Sequence, residues 1–276
     1  MENVIYIIKQ NKMIRVAAFP VVNMIRFFRK IFYLFSSDAR KIRAYKNIHQ
    51  GERCFIIGNG PSLTMEDLDK LKGEHCFAAN RICNAFSKTE WRPEYYMCVD
   101  SSVFKDMKDT ICGLDLPNIF LTLECKKYKL HEKNKKIKYI NNYYPYLVNQ
   151  YKRVKGINVS EDVSKFFVAG ETVTFNAIQF AIYMGFKEIY LLGVDHKYAR
   201  SREESGAIKV DMKVKDYFDD EPSKNYNVQN VQTSTAAYRS AKKYCDQHEI
   251  IIKNLTRGGA LEVFERADFN DILQKG

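Results

Sequence analysis

Short apolar runs of strand length recur along this chain, and most of them stop at a glycine or a polar residue. They lie at 54–57, 75–79, 95–99, 118–122, 138–141, 188–192 and 250–252. Ahead of the sixth run, Val173 to Met184 carries apolar side chains at helical spacing, and Gly185 is placed to end that helix. Strands that alternate with helices in this way are typical of a parallel sheet covered by helices. The sequence therefore predicts a Rossmann-like α/β fold.

Polar side chains follow three of the runs: Asn59, Asn80 and Asp100. Each of them alone more often caps a helix or closes a turn. In an open parallel sheet, however, ligands bind outside the carboxyl ends of the strands, where the three side chains can converge. The segment Gly58-Asn-Gly-Pro-Ser62 permits a close backbone approach to a ligand, although it matches neither common phosphate-binding glycine motif. Together these features predict a ligand crevice at the carboxyl edge of the sheet.

Asp195 and His196 come directly after the apolar run at 188–192 and its glycine. A carboxylate and an imidazole at a strand end can serve acid–base chemistry or metal binding. An Asp-His pair is also common in an ordinary turn. Its position at the carboxyl end of a predicted strand favours a functional role.

The first 48 residues are predicted to form a basic, apolar arm ahead of an α/β domain at 49–276. Residues 1–50 contain ten Lys or Arg and two acids, and so account for +8 of the net charge of +11. Between Met13 and Phe35, large apolar side chains are mixed with four cations: Arg15, Arg26, Arg29 and Lys30. Charges recur too often for a spanning helix. We expect a helix on an anionic membrane surface, and the alternative is packing on the domain or on a second subunit of a homo-oligomer.

The rest of the chain is only mildly basic, which argues against a nucleic-acid partner. Its seven cysteines are scattered, with no CxxC pair, which predicts reduced, mostly buried thiols. We therefore expect a cytoplasmic protein, located peripherally at the inner face of the cytoplasmic membrane.

Two motifs carry a family resemblance, GNGPSL at 58–63 and GFKEIYLLGVD at 185–195. In this order they resemble the bacterial sialyltransferases of glycosyltransferase family 42. They are still more similar to a broad group from polysaccharide and flagellin-glycosylation loci, which also contains the archaeal hydroxymethylpterin diphosphokinases. The resemblance runs from about Gly51 to Phe264 and implies a Rossmann-like domain of GT-A-variant type.

The resemblance also implies a nucleotide site. In the sialyltransferases, the counterparts of four positions and one turn surround the cytidine nucleotide and its phosphate: Asn59, Gly60, Ser62, Asn80 and the turn from Thr172 to Thr174. The family has Asn where this chain has Asp100, so that contact must differ in charge. Sialyltransferases also close a tyrosine-bearing lid over the donor. The resemblance implies that the polar loop at about 198–230, with Tyr217 and Tyr226, is its counterpart, and the alternative is a surface loop with incidental aromatic residues.

The catalytic base of the family is a histidine, and this chain has none where it is expected. Alignment on the strand at 250–252 places Gln232 or Thr233 there. We expect His196 to replace it, with Asp195 or another acid fixing its tautomer. His248 is the alternative.

The function that the resemblance implies is inverting transfer of a sugar from a nucleotide donor to a glycan or lipid-linked acceptor, as part of the synthesis of a surface glycan. The donor expected is a CMP-activated nonulosonic or octulosonic acid, with no cofactor and no required metal. One alternative is a magnesium-dependent diphosphokinase acting on a hydroxymethylpterin, with the metal held by Asp100, Asp195 and Asp219-Asp220. Another is a non-catalytic scaffold.

Overall fold

The computed structural model describes residues 12–143, 157–202, 207–219 and 228–274. The strands in these ranges are β1 (Arg53–Ile57), β2 (Cys76–Ala79), β3 (Tyr95–Cys98), β4 (Asn118–Thr122), β5 (Ile137–Ile140), β6 (Asn142–Tyr143), β7 (Phe167–Val168), β8 (Glu188–Leu192), β9 (Arg200–Arg202), β10 (Ile208–Val210), β11 (Ile251–Asn254) and β12 (Glu265–Arg266). The α-helices are α1 (Lys12–Leu34), α2 (Ser37–Arg43), α3 (Met65–Lys70), α4 (Ser101–Cys112), α5 (Leu130–Lys133), α6 (Val173–Met184), α7 (Val231–Gln247) and α8 (Phe269–Gln274). Short 3-10 helices occupy Asn80–Ala85 and Leu123–Tyr128.

Eight of the described strands form one sheet in the order β12-β11-β8-β1-β2-β3-β4-β5, and every neighbouring pair is parallel. This confirms the predicted Rossmann-like α/β fold with helices flanking a parallel sheet. Strands β2, β3, β4 and β5 follow one another on one side of β1. Strands β8, β11 and β12 follow one another on its other side. The order therefore reverses between β1 and β8. A crevice opens at such a reversal, on the carboxyl side of the strands.

Alternate residues of the strands enter two separate cores, one on each face of the sheet. In β1, Cys54 and Ile56 join the core that contains α6, whereas Phe55 and Ile57 join the core that contains Phe104 of α4. Side chains of a strand alternate between faces, so covering both faces requires a run that is apolar throughout. This explains why the strands appear in the sequence as continuous apolar runs.

Helix α6 is buried on nearly every side, and the chain satisfies both of its ends. Thr172 caps its start, because the Thr172 hydroxyl accepts a hydrogen bond from the amide of Thr174. Gly185 ends it in a left-handed conformation at φ +94°, as the sequence predicts. The segment at 47–51 then donates three backbone hydrogen bonds of 2.9–3.1 Å to the carbonyls of Tyr183, Met184 and Gly185. The connection before β1 therefore fixes the position of α6.

The N-terminal arm is joined to the domain from Arg29 onward. Arg29 donates to Asn141 (3.1 Å) and pairs with Glu124 (2.6 Å), and the Tyr33 hydroxyl donates to the carbonyl of Tyr139 (3.1 Å). The expectation that Arg29 faces lipid is therefore wrong, because the domain supplies its anionic partner. Residues on both sides of the expected boundary at residue 48 are packed against the domain.

The opposite face of α1 is apolar and exposed. Exposed apolar side chains recur along it at helical spacing, at Val21, Met24, Ile25, Phe28 and Phe32, and the stripe continues at Phe35 directly after the helix. Phe27, beside this stripe, is exposed as well. Among the described helices, none combines the length and apolar character that a membrane-spanning segment requires. Packing on the domain thus accounts for one face of the arm and leaves the other without a partner in this chain's described residues.

Helix α2 is part of the core, which gives a direct test. Ile42 is completely buried, whereas Ile48 is 47% exposed. Ile42→Ala removes buried methylene groups and should lower the free energy of unfolding by about 2–5 kcal/mol, while Ile48→Ala should change it by less than about 0.5 kcal/mol. Urea unfolding of the two variants measures the difference. Equal unfolding midpoints would show that residues 37–45 are an appendage.

Candidate functional site

A cleft of about 880 Å³ lies at the carboxyl edge of the sheet, where the strand order reverses. Nine of the residues predicted from the sequence line it: Asn59, Gly60, Asn80, Asp100, Thr172, Thr174, Asp195, His196 and Tyr217. Ser62 does not line it, and Tyr226 lies outside the described residues. The volume is within the usual range for small-molecule sites, roughly 300–1,000 Å³.

The floor of the cleft is formed by two loops in direct backbone contact. The amide of Gly60 donates to the carbonyl of Gly193 (2.9 Å). A Cβ on Gly58 would lie 2.2 Å from that carbonyl oxygen, and one on Gly60 would lie 1.8 Å from Oδ2 of Asp195. Glycine is therefore required at both positions by the neighbouring loop, and this requirement is independent of any ligand.

Three polar atoms around the cleft are buried without a hydrogen-bond partner among the described residues. They are Oδ1 of Asn59, Oδ1 of Asn80 and Nδ1 of His196. The other end of the Asn59 amide is fixed, because its Nδ2 donates to the carbonyl of Ala79 (2.9 Å). Buried polar atoms in folded proteins are almost always satisfied, and leaving one unpaired costs about 1–3 kcal/mol. The three atoms are therefore available for hydrogen bonds with polar groups in the cleft.

Two twelve-residue helices begin at the cleft, and both begin with a capping side chain predicted as a site residue. Asp100 caps α4, and its Oδ1 accepts from the amide of Ser102 (2.7 Å). Thr172 caps α6 through the amide of Thr174 (3.3 Å) and also contacts the hydroxyl of Tyr238 (3.2 Å). The carboxylate of Asp100 already provides a negative charge at the start of α4. The neutral cap of α6 leaves the positive end of that helix dipole for an anionic group.

The hydrogen bonds of Thr235 determine which nitrogen of His196 carries the proton. Oγ1 of Thr235 donates its one proton to the carbonyl of Val231 (2.7 Å). In the 2.8 Å contact between Thr235 Oγ1 and Nε2 of His196, the imidazole must therefore be the donor. Nδ1 is left with a free lone pair. Burial lowers the pKa of His196 to about 4, so the ring is neutral at physiological pH.

Asp195 has a different partner from the one expected. Its Oδ2 accepts from the Ser62 hydroxyl (2.7 Å), and its backbone carbonyl accepts from the amide of Ala260 (2.7 Å). The carboxylate therefore joins the β1 and β8 loops, and it is Thr235 that orients His196. The Ser62 hydroxyl donates its proton in this contact and does not line the cleft, and its contact with a nucleotide phosphate stays a prediction.

The part of the predicted lid that is described is held against the cleft. The amide of Phe218 donates to the carbonyl of Asn59 (2.9 Å). Asp219 pairs with Arg81 (3.1 Å) and accepts from Asn84 (2.7 Å), and the guanidinium of Arg81 lies 5.0 Å from the centre of the Tyr217 ring. Burial raises the pKa of Tyr217, so its hydroxyl stays protonated and can donate.

The alternative base, His248, lies elsewhere. It caps the far end of α7, where it is exposed and stacks on Tyr244 at 3.9 Å. Arg257 pairs with Asp67 and donates to the carbonyl of Ser62 (2.9 Å), so the fold already supplies the anionic partner of its guanidinium. The first turn of α7, which carries Gln232 and Thr233, contacts the cleft through Thr235. His196 therefore lies against the helix turn in which the family histidine was expected.

Sequence reasoning missed several residues of the cleft. Asn176 is buried and donates to Oδ1 of Asn142 (3.0 Å), and both line the cleft. An asparagine inside the otherwise apolar α6 was a signal that could have identified it. Thr235 and Tyr238 gave no comparable signal, because they belong to an ordinary amphipathic helix.

The site can now be compared with known proteins. The sequence model of the MptE-like family, described as 6-hydroxymethylpterin diphosphokinase MptE-like, matches residues 25–201, which is more than half of the chain. The chain belongs to this family. The match extends nine residues past the end of β8 and ends before α7. No curated protein matches the chain.

Two solved structures are similar in fold. The MAf glycosyltransferase from Magnetospirillum magneticum AMB-1 is 13% identical with a TM-score of 0.45, over 83% of this chain and 38% of its own. The sialyltransferase CstII from Campylobacter jejuni, solved in complex with a substrate analogue, cytidine 5′-monophosphate, is 18% identical with a TM-score of 0.47, over 80% of this chain and 86% of its own. The chain thus spans well under half of the MAf protein. At these values we draw no conclusion on function from the likeness.

Burial of neutral His196 makes folding stability depend on pH. The pKa of His196 is 6.5 in the ordinary case and about 4 in the folded chain. At a pH between these two values, the unfolded chain binds a proton at this residue and the folded chain does not. Stability should therefore fall as the pH drops from about 6.5 to 4, by up to about 3 kcal/mol from this group. His196→Asn should remove that part of the slope, since asparagine tolerates the left-handed backbone at φ +54°.

Urea unfolding of the wild type, His196→Asn and His248→Asn between pH 4 and 7 measures this contribution. The exposed His248 is the matched control and should leave the slope unchanged. Parallel pH profiles for the wild type and His196→Asn would contradict a buried neutral imidazole.

Proposed function

We propose that this chain is a glycosyltransferase that uses a nucleotide-activated sugar. The observation that carries the proposal is the joint placement of Asn59, Asn80 and His196 around one cleft, each with a buried polar atom that lacks a partner among the described residues. A nucleotide offers donors and acceptors for the two amides. Its phosphate suits the start of α6. The donor class, a CMP-linked nonulosonic or octulosonic acid, follows the resemblance at residues 59–62 and 172–174.

The proposed mechanism is a single inverting displacement. The acceptor hydroxyl attacks the anomeric carbon, the bond from that carbon to the nucleotide phosphate breaks, and Nδ1 of His196 takes the hydroxyl proton. A neutral ring with its proton on Nε2 has the lone pair in the required place. A pKa of about 4 makes His196 a weak base in the free protein. The phosphate charge of a bound donor would stabilise the imidazolium and raise that pKa. No metal is required in this scheme.

The acceptor has a separate approach to the same imidazole. His196 and Thr235 also line a second cavity of about 560 Å³, formed by α7 and residues 260–263. Its rim carries Arg239, Lys242 and Lys243, with Lys242 paired to Asp246 (2.6 Å). Because His196 borders both cavities, a donor in the larger one and an acceptor in the smaller one would meet at its ring. Two acids also line it, and both are paired, Asp246 with Lys242 and Glu262 with Arg266. The remaining cations, Arg239 and Lys243, favour an acceptor that carries phosphate or carboxylate groups.

The family match supports a second candidate, magnesium-dependent transfer of diphosphate from ATP to a hydroxymethylpterin. This reaction requires carboxylates that are available to magnesium. Within the described residues, Asp100 caps α4, Asp195 accepts from Ser62, and Asp219 pairs with Arg81. These three expected ligands are thus engaged by the fold, while Asp220 lies outside the described residues, and for this reason we rank the diphosphokinase second.

Two variants should distinguish the residue that binds the donor from the residue that transfers the proton. Asn59→Ala should weaken nucleotide binding, because it removes the buried carbonyl that meets the ligand. His196→Asn should leave binding nearly unchanged and lower turnover by about 10²–10⁴, since the proton moves only in the transition state. Thermal shifts with CMP, UDP, GDP and ATP, the last with and without Mg²⁺, measure binding, and transfer from the stabilising nucleotide sugar measures turnover.

His248→Asn is the control for both measurements and should behave as the wild type. Stabilisation by ATP and Mg²⁺ alone would favour the diphosphokinase. Full turnover by His196→Asn would exclude this histidine as the base.

We further propose that the exposed face of α1 contacts a membrane surface. Phe28 and Phe32 are 49% and 75% exposed and belong to a stripe of apolar side chains. Phe28→Ser with Phe32→Ser should abolish sedimentation with anionic liposomes, because it removes apolar area that would insert between headgroups. Met212→Ser is the control, since Met212 is an apolar side chain that is 88% exposed and lies outside the arm. Unchanged sedimentation of the double variant would refute membrane contact by this face.

A further inference from the structure

Two histidines and two glutamates meet at the amino edge of the sheet, opposite the cleft. His49 and Glu52 precede β1, His75 precedes β2, and Glu94 precedes β3. The cleft lies at the other end of the same strands, a five-residue strand being about 16 Å long. The function proposed above does not use this cluster.

The two imidazole rings are 4.1 Å apart between centroids. Nδ1 of His75 lies 2.6 Å from Oε2 of Glu94. One donor atom each from His49, His75 and Glu94 lies within 4.8 Å of the other two. Imidazole nitrogen and carboxylate oxygen are ligands of Zn²⁺ and similar divalent ions.

Glu52 contacts the outer nitrogens of both rings. Its Oε2 lies 2.6 Å from Nδ1 of His49 and 3.0 Å from Nε2 of His75. A carboxylate that accepts from the outer N–H of a histidine is the usual support of a metal-binding imidazole, because it fixes the tautomer and the ring orientation. Here one carboxylate does this for two histidines. Nε2 of His49 and Nδ1 of His75 remain to face the centre of the cluster.

The hydroxyl of Tyr95 borders the same centre. It lies 2.6 Å from Nε2 of His49 and 2.9 Å from Oε1 of Glu94. Two imidazole nitrogens and a carboxylate are thus gathered around one point at the amino edge of the sheet, which is the kind of donor set that binds a divalent transition-metal ion.

We propose that this cluster is a structural site for a divalent transition-metal ion of the Zn²⁺ class. Nε2 of His49, Nδ1 of His75 and the carboxylate of Glu94 are the protein ligands, and Glu52 supports both imidazoles. Because the ligands precede three adjacent strands, the metal joins the starts of β1, β2 and β3. The segment at 47–51 also binds the end of α6, so the site connects that helix to the sheet. Its role is in stability, since the reaction cleft is at the other edge.

The test is a titration of the tag-free, metal-stripped full chain with Co²⁺, a spectroscopic substitute for Zn²⁺. We expect one equivalent to bind with the visible bands of a four-coordinate ion, to raise the thermal unfolding temperature, and to be displaced by Zn²⁺. His75→Ala and Glu94→Gln should lose these bands. Glu52→Gln should weaken binding by about 10–100-fold, because it removes only the supporting charge. His248→Ala, which removes an exposed histidine, should bind as the wild type does.

The proposal is overturned if no saturable binding occurs or if Glu94→Gln and His75→Ala bind Co²⁺ as the wild type does. It is also overturned if the bound ion shows thiolate charge-transfer bands, which would place it on cysteine. Glu94→Gln keeps the volume and hydrogen-bonding capacity of the side chain, so it decides the matter if His75→Ala does not fold. None of these readouts depends on transferase activity.

Discussion

The close backbone contact between the loops after β1 and β8 is the constraint on which the site depends. Gly60 hydrogen bonds to Gly193, and neither Gly58 nor Gly60 has room for a Cβ. Because the two loops are locked together, Asn59 on one and His196 on the other are held at fixed positions across the cleft. Asp195 adds a side-chain contact through Ser62 to the same junction. The sequence predicts a role for Asp195 beside the proposed base, and in the structure its carboxylate joins the two loops that hold His196 in place.

Features that depend on neighbouring residues could be predicted from the sequence. The strands ending at Asn59, Asn80 and Asp100 and the helix from Val173 to Gly185 follow from apolar periodicity and from glycine at a helix end. Both features depend only on nearby residues. The first follows from the alternation of side chains between the two faces of a strand, and the second from the conformational freedom of one glycine. Because the strands are parallel, the polar residues that follow them lie at the same edge of the sheet, whichever strands are neighbours.

Pairings between distant residues could not be predicted in the same way. Thr235 orients His196 across 39 positions, and Asp67 neutralises Arg257 across 190. Each partner has an ordinary local context, and only the folded chain selects among the available acids and hydroxyls. The error at Arg29 has the same origin, since its partners Glu124 and Asn141 come much later in the sequence. Charge counts along the arm did not reveal which cations the domain had already neutralised.

This distinction changes how the arm would meet a membrane. Arg29 faces Glu124, and the ammonium of Lys30 lies 4.8 Å from the centre of the Phe166 ring, so both cations are directed toward the domain. The exposed face instead presents Phe28, Phe32 and Phe35, spaced four and three residues apart on one side of the helix. Attraction between surface charges and anionic lipid is screened by salt, whereas burial of apolar area is not. Contact through the phenylalanine face should therefore persist at salt concentrations that release proteins held by a polybasic segment.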